Sequence, residues 1–140
     1  MMSPMSPTVK SFLMADTVFR QDNGKWCVIG IFDRICAPAF PAVHNSLGLF
    51  VQLDDVPKGK HQLHMAFHDG EGRQMAVSPR IEMNVPEVHD RTKVVPVGIQ
   101  THRLPIPHPG TYLIHLYFDE QHIAGTDIRL SVEHVPGKEA

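Results

Sequence analysis

The chain has 140 residues, of which 42% are hydrophobic and 20% charged, and its formal net charge is −2. That is the size and composition of one globular domain, and it excludes a disordered or collagen-like chain. No run approaches the roughly 18 apolar residues of a membrane span, and no basic stripe carries interleaved aromatics, so neither a membrane nor nucleic acid is an expected partner.

Residues 1–10 are polar and hold Pro4 and Pro7. They lack the basic-then-apolar order of an export signal, so the cytoplasm is the expected compartment. They read as a flexible tail, residues 11–135 as a single β-sandwich domain, and residues 136–140 as a second flexible tail. The first strand, near residues 11–20, is mixed in pattern. Asp22-Asn23-Gly24 then marks a hairpin, because Asn and Gly accept positive φ. Residues 25–33 are apolar on both parities, with Trp26, Val28 and Phe32 against Cys27, Ile29 and Ile31. Such a run predicts a central strand covered on both sides.

Residues 34–46 read as a connection, long for a sandwich. Ile35, Phe40 and Val43 lie in it, pinned by Pro38 and Pro41. Two readings stand: a presented binding surface that includes Arg34, Phe40, Val43 and His44, or a plug in which Phe40 and Val43 close one end of the sandwich. Asp33-Arg34 is an ion pair anchoring this segment, or a carboxylate anchor, since the guanidinium fork binds carboxylates bidentately. Cys36 and His44, with Asp33, form the one nucleophilic arrangement in the sequence. Nothing in the spacing fixes their distance, and no helix N-terminus is expected nearby to activate the thiol. A Cys27–Cys36 disulfide needs Cα atoms within about 7 Å, which one extended run does not allow, so reduced thiols, buried or half-buried, are expected.

Alternation of period two dominates the rest. Leu47, Leu49, Val51 and Leu53 share one face, and Val56-Pro57-Lys58-Gly59 turns the chain. Leu63, Met65 and Phe67 face inward, with Gln62, His64 and His68 outward. Asp69-Gly70-Glu71-Gly72 is the next turn. In residues 74–85 the apolar set is Met75, Val77, Ile81, Met83 and Val85, with Pro79 in phase, so this strand is an edge or is broken at Pro79. Val95, Val97 and Ile99 follow. Tyr112, Ile114, Leu116 and Phe118 alternate with Leu113, His115 and Tyr117, and a turn at Asp119-Glu120-Gln121 leads on. Ile123 is out of phase with Ile128, Leu130 and Val132, and a bulge at Ala124-Gly125-Thr126 restores register. The methionines Met14, Met65, Met75 and Met83 are expected as core filler.

About seven to eight antiparallel strands without a helical period predict an immunoglobulin-like β-sandwich. Gly110-Thr111-Tyr112 at the start of the penultimate strand resembles the tyrosine corner of such folds, in which the phenol hydrogen-bonds backbone near the preceding corner. Ile114 stands where antibody domains place their second core cysteine, and Trp26 sits one strand too early for their core tryptophan.

Ala15-Asp16, Asn23-Gly24-Lys25, Ile29 to Ile35, Phe40-Pro41-Ala42-Val43-His44 and the later Pro109-Gly110-Thr111-Tyr112 together resemble a family of small bacterial proteins of unknown function. The resemblance spans nearly the whole chain and is most specific in the first forty-odd residues. It implies a compact β-sandwich, and it brings no activity and no functional residue.

Ten histidines are dispersed through the chain. His64 and His68 share one strand face about 13 Å apart, too far for one ion with bonds near 2 Å. A metal site therefore needs a histidine from a neighbouring strand, with His115 the natural candidate and His102 another; the alternative is a hydrated polar face. The outward stripe Leu113, His115 and Tyr117 is less polar than a solvated face. It suits a dimer surface, or a face covered by residues 34–46. No cofactor is expected. Three functions follow: a non-catalytic protein-interaction or structural module open to self-association as a homodimer, a small-ligand or metal binder using surface histidines, and an enzyme centred on Cys36 and His44. The first fits the absence of a catalytic motif.

Overall fold

The computed structural model describes residues 7–86, 93–123 and 125–135. The described residues form eleven strands and no helix: β1 (Thr8–Arg20), β2 (Trp26–Ile31), β3 (Arg34–Ala37), β4 (Ala42–Asp54), β5 (Gly59–His68), β6 (Gln74–Val77), β7 (Ile81–Val85), β8 (Val95–Ile106), β9 (Gly110–Phe118), β10 (Gln121–His122) and β11 (Ile128–His134). They build the expected all-β sandwich. One sheet has the order β2-β1-β4-β8. The other runs β3-β11-β9-β5-β6, with β10 also on β9 and β7 also on β5.

Alternation supplies the core. Leu47, Leu49, Val51 and Leu53 of β4 face Leu63, Met65 and Phe67 of β5 and Ile114, Leu116 and Phe118 of β9 in one buried cluster. Each fully buried side chain of this size contributes about 1.5–3 kcal/mol. The strand count exceeds the expected number because Pro79 divides one run in two and because β3 and β10 form in segments expected as a connection and a turn. Residues 74–85 break at Pro79 into β6 and β7, which pair with opposite ends of β5. At the break Ser78 repairs the ladder: its amide donates to Met65 O at 2.8 Å, and its hydroxyl accepts from Met65 N at 2.9 Å.

Several expectations are corrected. Residues 34–46 are not a loop: their first part is β3, which pairs parallel with β11, and their last part opens β4 in the other sheet. The connection shrinks to residues 38–41, with a cis Phe40-Pro41 bond. Phe40 is half-buried against the core, whereas Val43 is 55% exposed and plugs nothing. Arg34 pairs with Glu133 at 3.5 Å, across β3 and β11, and not with Asp33. Cys36 and His44 lie on strands of different sheets, and Cys36 is an exposed free thiol. Residues 8–10, expected in the N-terminal tail, already belong to β1.

β2 is also not central. It is an edge strand whose one side faces inward through Trp26 and Val28, against Ala15, Val18 and Phe50, and whose other side leaves Ile29 and Ile31 54% and 62% exposed. The β1–β2 hairpin bends over the outer face of its own sheet. Its Asp22-Asn23-Gly24 turn forms as expected, with Gly24 at φ 88°. Gln100 clasps the bend: its Oε1 accepts from Val18 N at 2.9 Å, and its Nε2 donates to Asp16 O at 3.0 Å. Trp26 then lies on Gly98, where a Cβ would meet the indole ring and, at 2.7 Å, Val18. Gly98 is therefore required by close approach, not by a turn.

Candidate functional site

The outer face of the second sheet is built from the alternate residues of β5, β9, β10 and β11. Register places His64 opposite Tyr117, Ala66 opposite His115 and His68 opposite Leu113. On the other side of β9, His122 faces Tyr117 and Arg129 faces Leu113. Ala66 is the small member of this array, and the rings close over it until it is fully buried.

Five rings stack across the face. His64 lies on Tyr117 at 4.7 Å, His68 on His115 at 4.2 Å and His115 on His122 at 4.3 Å, while Tyr117 tilts against His122 at 5.4 Å. Asp127, just before β11, joins them: its Oδ1 accepts from His122 Nε2 at 2.8 Å, and its Oδ2 lies 3.5 Å from His115 Nε2. One donor atom from each of His115, His122 and Asp127 lies within 4.8 Å of the others. The Nδ1 atoms of His64 and His68 are buried without a hydrogen-bond partner among the described residues.

Burial favours the neutral form of part of this array. Burial pushes the His115 imidazole below its ordinary pKa and outweighs the opposing pull of Asp127; His68 and His122 push the same way as burial. His64 is lowered by burial and then by Arg80, against Glu120. A neutral imidazole is what metal ligation requires.

His68, His115, Tyr117 and His122 line an open cleft of about 590 Å³ with Thr111, Gly70 and Arg129. Its rim is the β5–β6 turn, which Asp69 holds shut from within. The buried carboxylate accepts from the amides of Glu71 and Arg73 and from Arg73 Nε, each at 2.9 Å. Burial raises the Asp69 pKa, but those hydrogen bonds outweigh it and hold the carboxyl below its usual range.

The opposite hairpin fixes His122. Asp119 and Glu120 both take positive φ, 50° and 67°, a two-residue turn of the kind that matches strand twist but disfavours side chains. Contacts from other strands hold it. Asp119 Oδ1 accepts from Gln62 N at 2.9 Å and Oδ2 from His61 Nδ1 at 2.7 Å. Glu120 takes a bidentate pair from Arg80, at 2.6 and 2.8 Å.

Of the residues singled out in the sequence, His68, Leu113, His115 and Tyr117 line this cleft, and His64 completes the ring row. Arg34, Phe40, Val43 and His44 lie elsewhere, and the Leu113-His115-Tyr117 stripe is not covered by residues 34–46. His102 sits on β8 of the other sheet, opposite Ser46. His122 and Asp127 complete the converging group, and neither stands out in the sequence.

A tyrosine corner closes the end of this sheet: the Tyr112 hydroxyl donates to His108 O at 2.7 Å. Residues 10–131, nearly the whole sandwich, match the profile of a family described as Family of unknown function (DUF6941). The chain belongs to that family. No curated protein matches this DUF6941 member. Among solved structures it is similar to the Pseudomonas fluorescens alkylpurine DNA glycosylase AlkC bound to DNA containing an abasic site analog, with 9% identity and a TM-score of 0.46 over 88% of this chain. The match spans 30% of that protein's length.

Proposed function

We propose that this protein is a non-catalytic binding module that holds one divalent transition-metal ion of the zinc class through His115, His122 and Asp127. The observation that carries the reading is the convergence of two imidazoles and a carboxylate from β9, β10 and the approach to β11 within 4.8 Å. Zinc bonds near 2 Å place its ligand atoms roughly 3.3 Å apart, so rotation of partly exposed side chains closes the site without moving a strand. Two imidazoles with one carboxylate suit zinc, nickel or iron better than magnesium or calcium. Calorimetric titration of the full chain with Zn²⁺ tests the reading. One saturable equivalent is expected, lost in His122→Ala and Asp127→Ala and kept in His102→Ala. Weak binding that never saturates and ignores all three substitutions contradicts it.

A second reading, self-association, rests on a different surface. Phe19, Ile29 and Ile31 are 42%, 54% and 62% exposed on the free side of the β1–β2 hairpin, and β2 is a sheet edge. An apolar edge strand supports pairing with the same strand of a second copy. Light scattering tests this: a dimer that Ile29→Lys converts to monomer is expected, and a monomer at high concentration contradicts it. The tyrosine corner supports an immunoglobulin-like classification, and the free thiols Cys27 and Cys36 support a reducing, cytoplasmic setting. No helix among the described residues is long and apolar enough to cross a membrane.

A further inference from the structure

We propose that the ion held by His115, His122 and Asp127 keeps one position open to the cleft, and that a small oxyanion fills it with its far side on the Arg129 guanidinium. The inference rests on the metal reading above and names the ligand that the loaded site receives.

Three observations lead to it. First, the converging group contains three protein ligands among the described residues. Zinc with three protein ligands leaves its fourth position to water or ligand, whereas four close it. Second, that position faces usable space. His115, His122 and Arg129 line one cleft of about 590 Å³, within the range of small-molecule sites. Gly70, Gly72 and Thr111 line one part of it with small side chains.

Third, a bound dication leaves the charge of the cleft unbalanced toward the positive. Asp69 is spent on Arg73 and two amides. Asp127, which contacts His122 and His115, is the ion's one carboxylate ligand. Arg129 is exposed and makes no ion pair with a described carboxylate. It stands across from Leu113, in the row next to His115. A dication with one carboxylate ligand beside an unpaired guanidinium leaves net positive charge, and both groups prefer oxygen anions: the metal as a Lewis acid, the guanidinium by its planar fork. A carboxylate and a phosphate share this chemistry.

Cobalt makes the step visible, because the visible bands of Co²⁺ change when a ligand enters its coordination sphere. The full chain is loaded with one equivalent of Co²⁺ and titrated separately with inorganic phosphate and with acetate. Either anion is expected to shift the bands saturably. A response to phosphate alone assigns the oxyanion as phosphate, and a response to acetate alone assigns it as carboxylate. Arg129→Gln is expected to weaken the anion by about tenfold or more while leaving Co²⁺ affinity unchanged. Bands that neither anion moves, or an anion affinity indifferent to Arg129→Gln, overturn the oxyanion site and leave the metal site standing. Failure to load Co²⁺ at all overturns both.

Discussion

The two sheets turn opposite kinds of outer face to the solvent side, although both begin from the same alternation. On the first sheet the outward positions of β4 and β8 include Gly48 and Gly98, and a Cβ at either would collide with Val18. The β1–β2 hairpin folds down onto them and seals the face with Trp26 and Phe50, whose rings sit 5.7 Å apart. On the second sheet the small residue is Ala66, and what closes over it is a row of imidazoles beside an open cleft. Glycine under an indole makes a dry, structural contact. Alanine under histidines leaves imidazole rings lining a hollow. The first face should therefore respond to mutation mainly in stability, and the second mainly in binding.

The largest expected effects lie on the first face. Trp26→Ala strips the cover from Gly98, and Gly98→Ala forces a methyl into the indole; each should cost about 2–3 kcal/mol in urea unfolding and leave zinc binding intact. Asp69→Ala comes next, since it removes the acceptor of two amides under the cleft rim. It should lower the melting temperature by less than Trp26→Ala, and a loss as large would mean that the rim is part of the core.

Protonation gives a smaller and graded effect. His44, in the first sheet, is lowered chiefly by burial, as are His64 and His115 in the second. Below the ordinary imidazole pKa of about 6.5 the unfolded chain takes up protons that the folded chain refuses. Stability is thus complete above that pH and declines as pH falls toward the folded-state values. Thermal melts across this window should show the decline, and His64→Gln should flatten it. Smallest in stability are His122→Ala and Asp127→Ala, expected within about 0.5 kcal/mol of the parent, while both remove the zinc equivalent. If they unfold the protein, the distinction between the two faces fails.

Much of this was legible in the sequence. Alternation located the core strands, Pro79 marked the break between β6 and β7, and the Gly-x-Tyr pattern anticipated the bond from Tyr112 to His108. His115 was legible as the neighbour of His64 and His68 once β5 and β9 pair. β2 was misread because two-sided apolarity says nothing about whether a cover exists: Trp26 and Val28 have one, and Ile29 and Ile31 do not. His122 was hidden by a single residue of register. Reading the turn as Asp119-Glu120-Gln121 moves His122 off the Tyr117 position, and the actual two-residue turn puts non-glycine residues at positive φ. Contacts from Gln62, His61 and Arg80, all distant in sequence, hold that conformation.

Long-range proton–nitrogen NMR of the imidazole rings is the most direct test of the central claim. On addition of one equivalent of Zn²⁺, the ring nitrogens of His115 and His122 should shift together and saturate, with those of His102 and His134 unmoved. Small shifts spread over many rings, still growing past one equivalent, would contradict a site on this face.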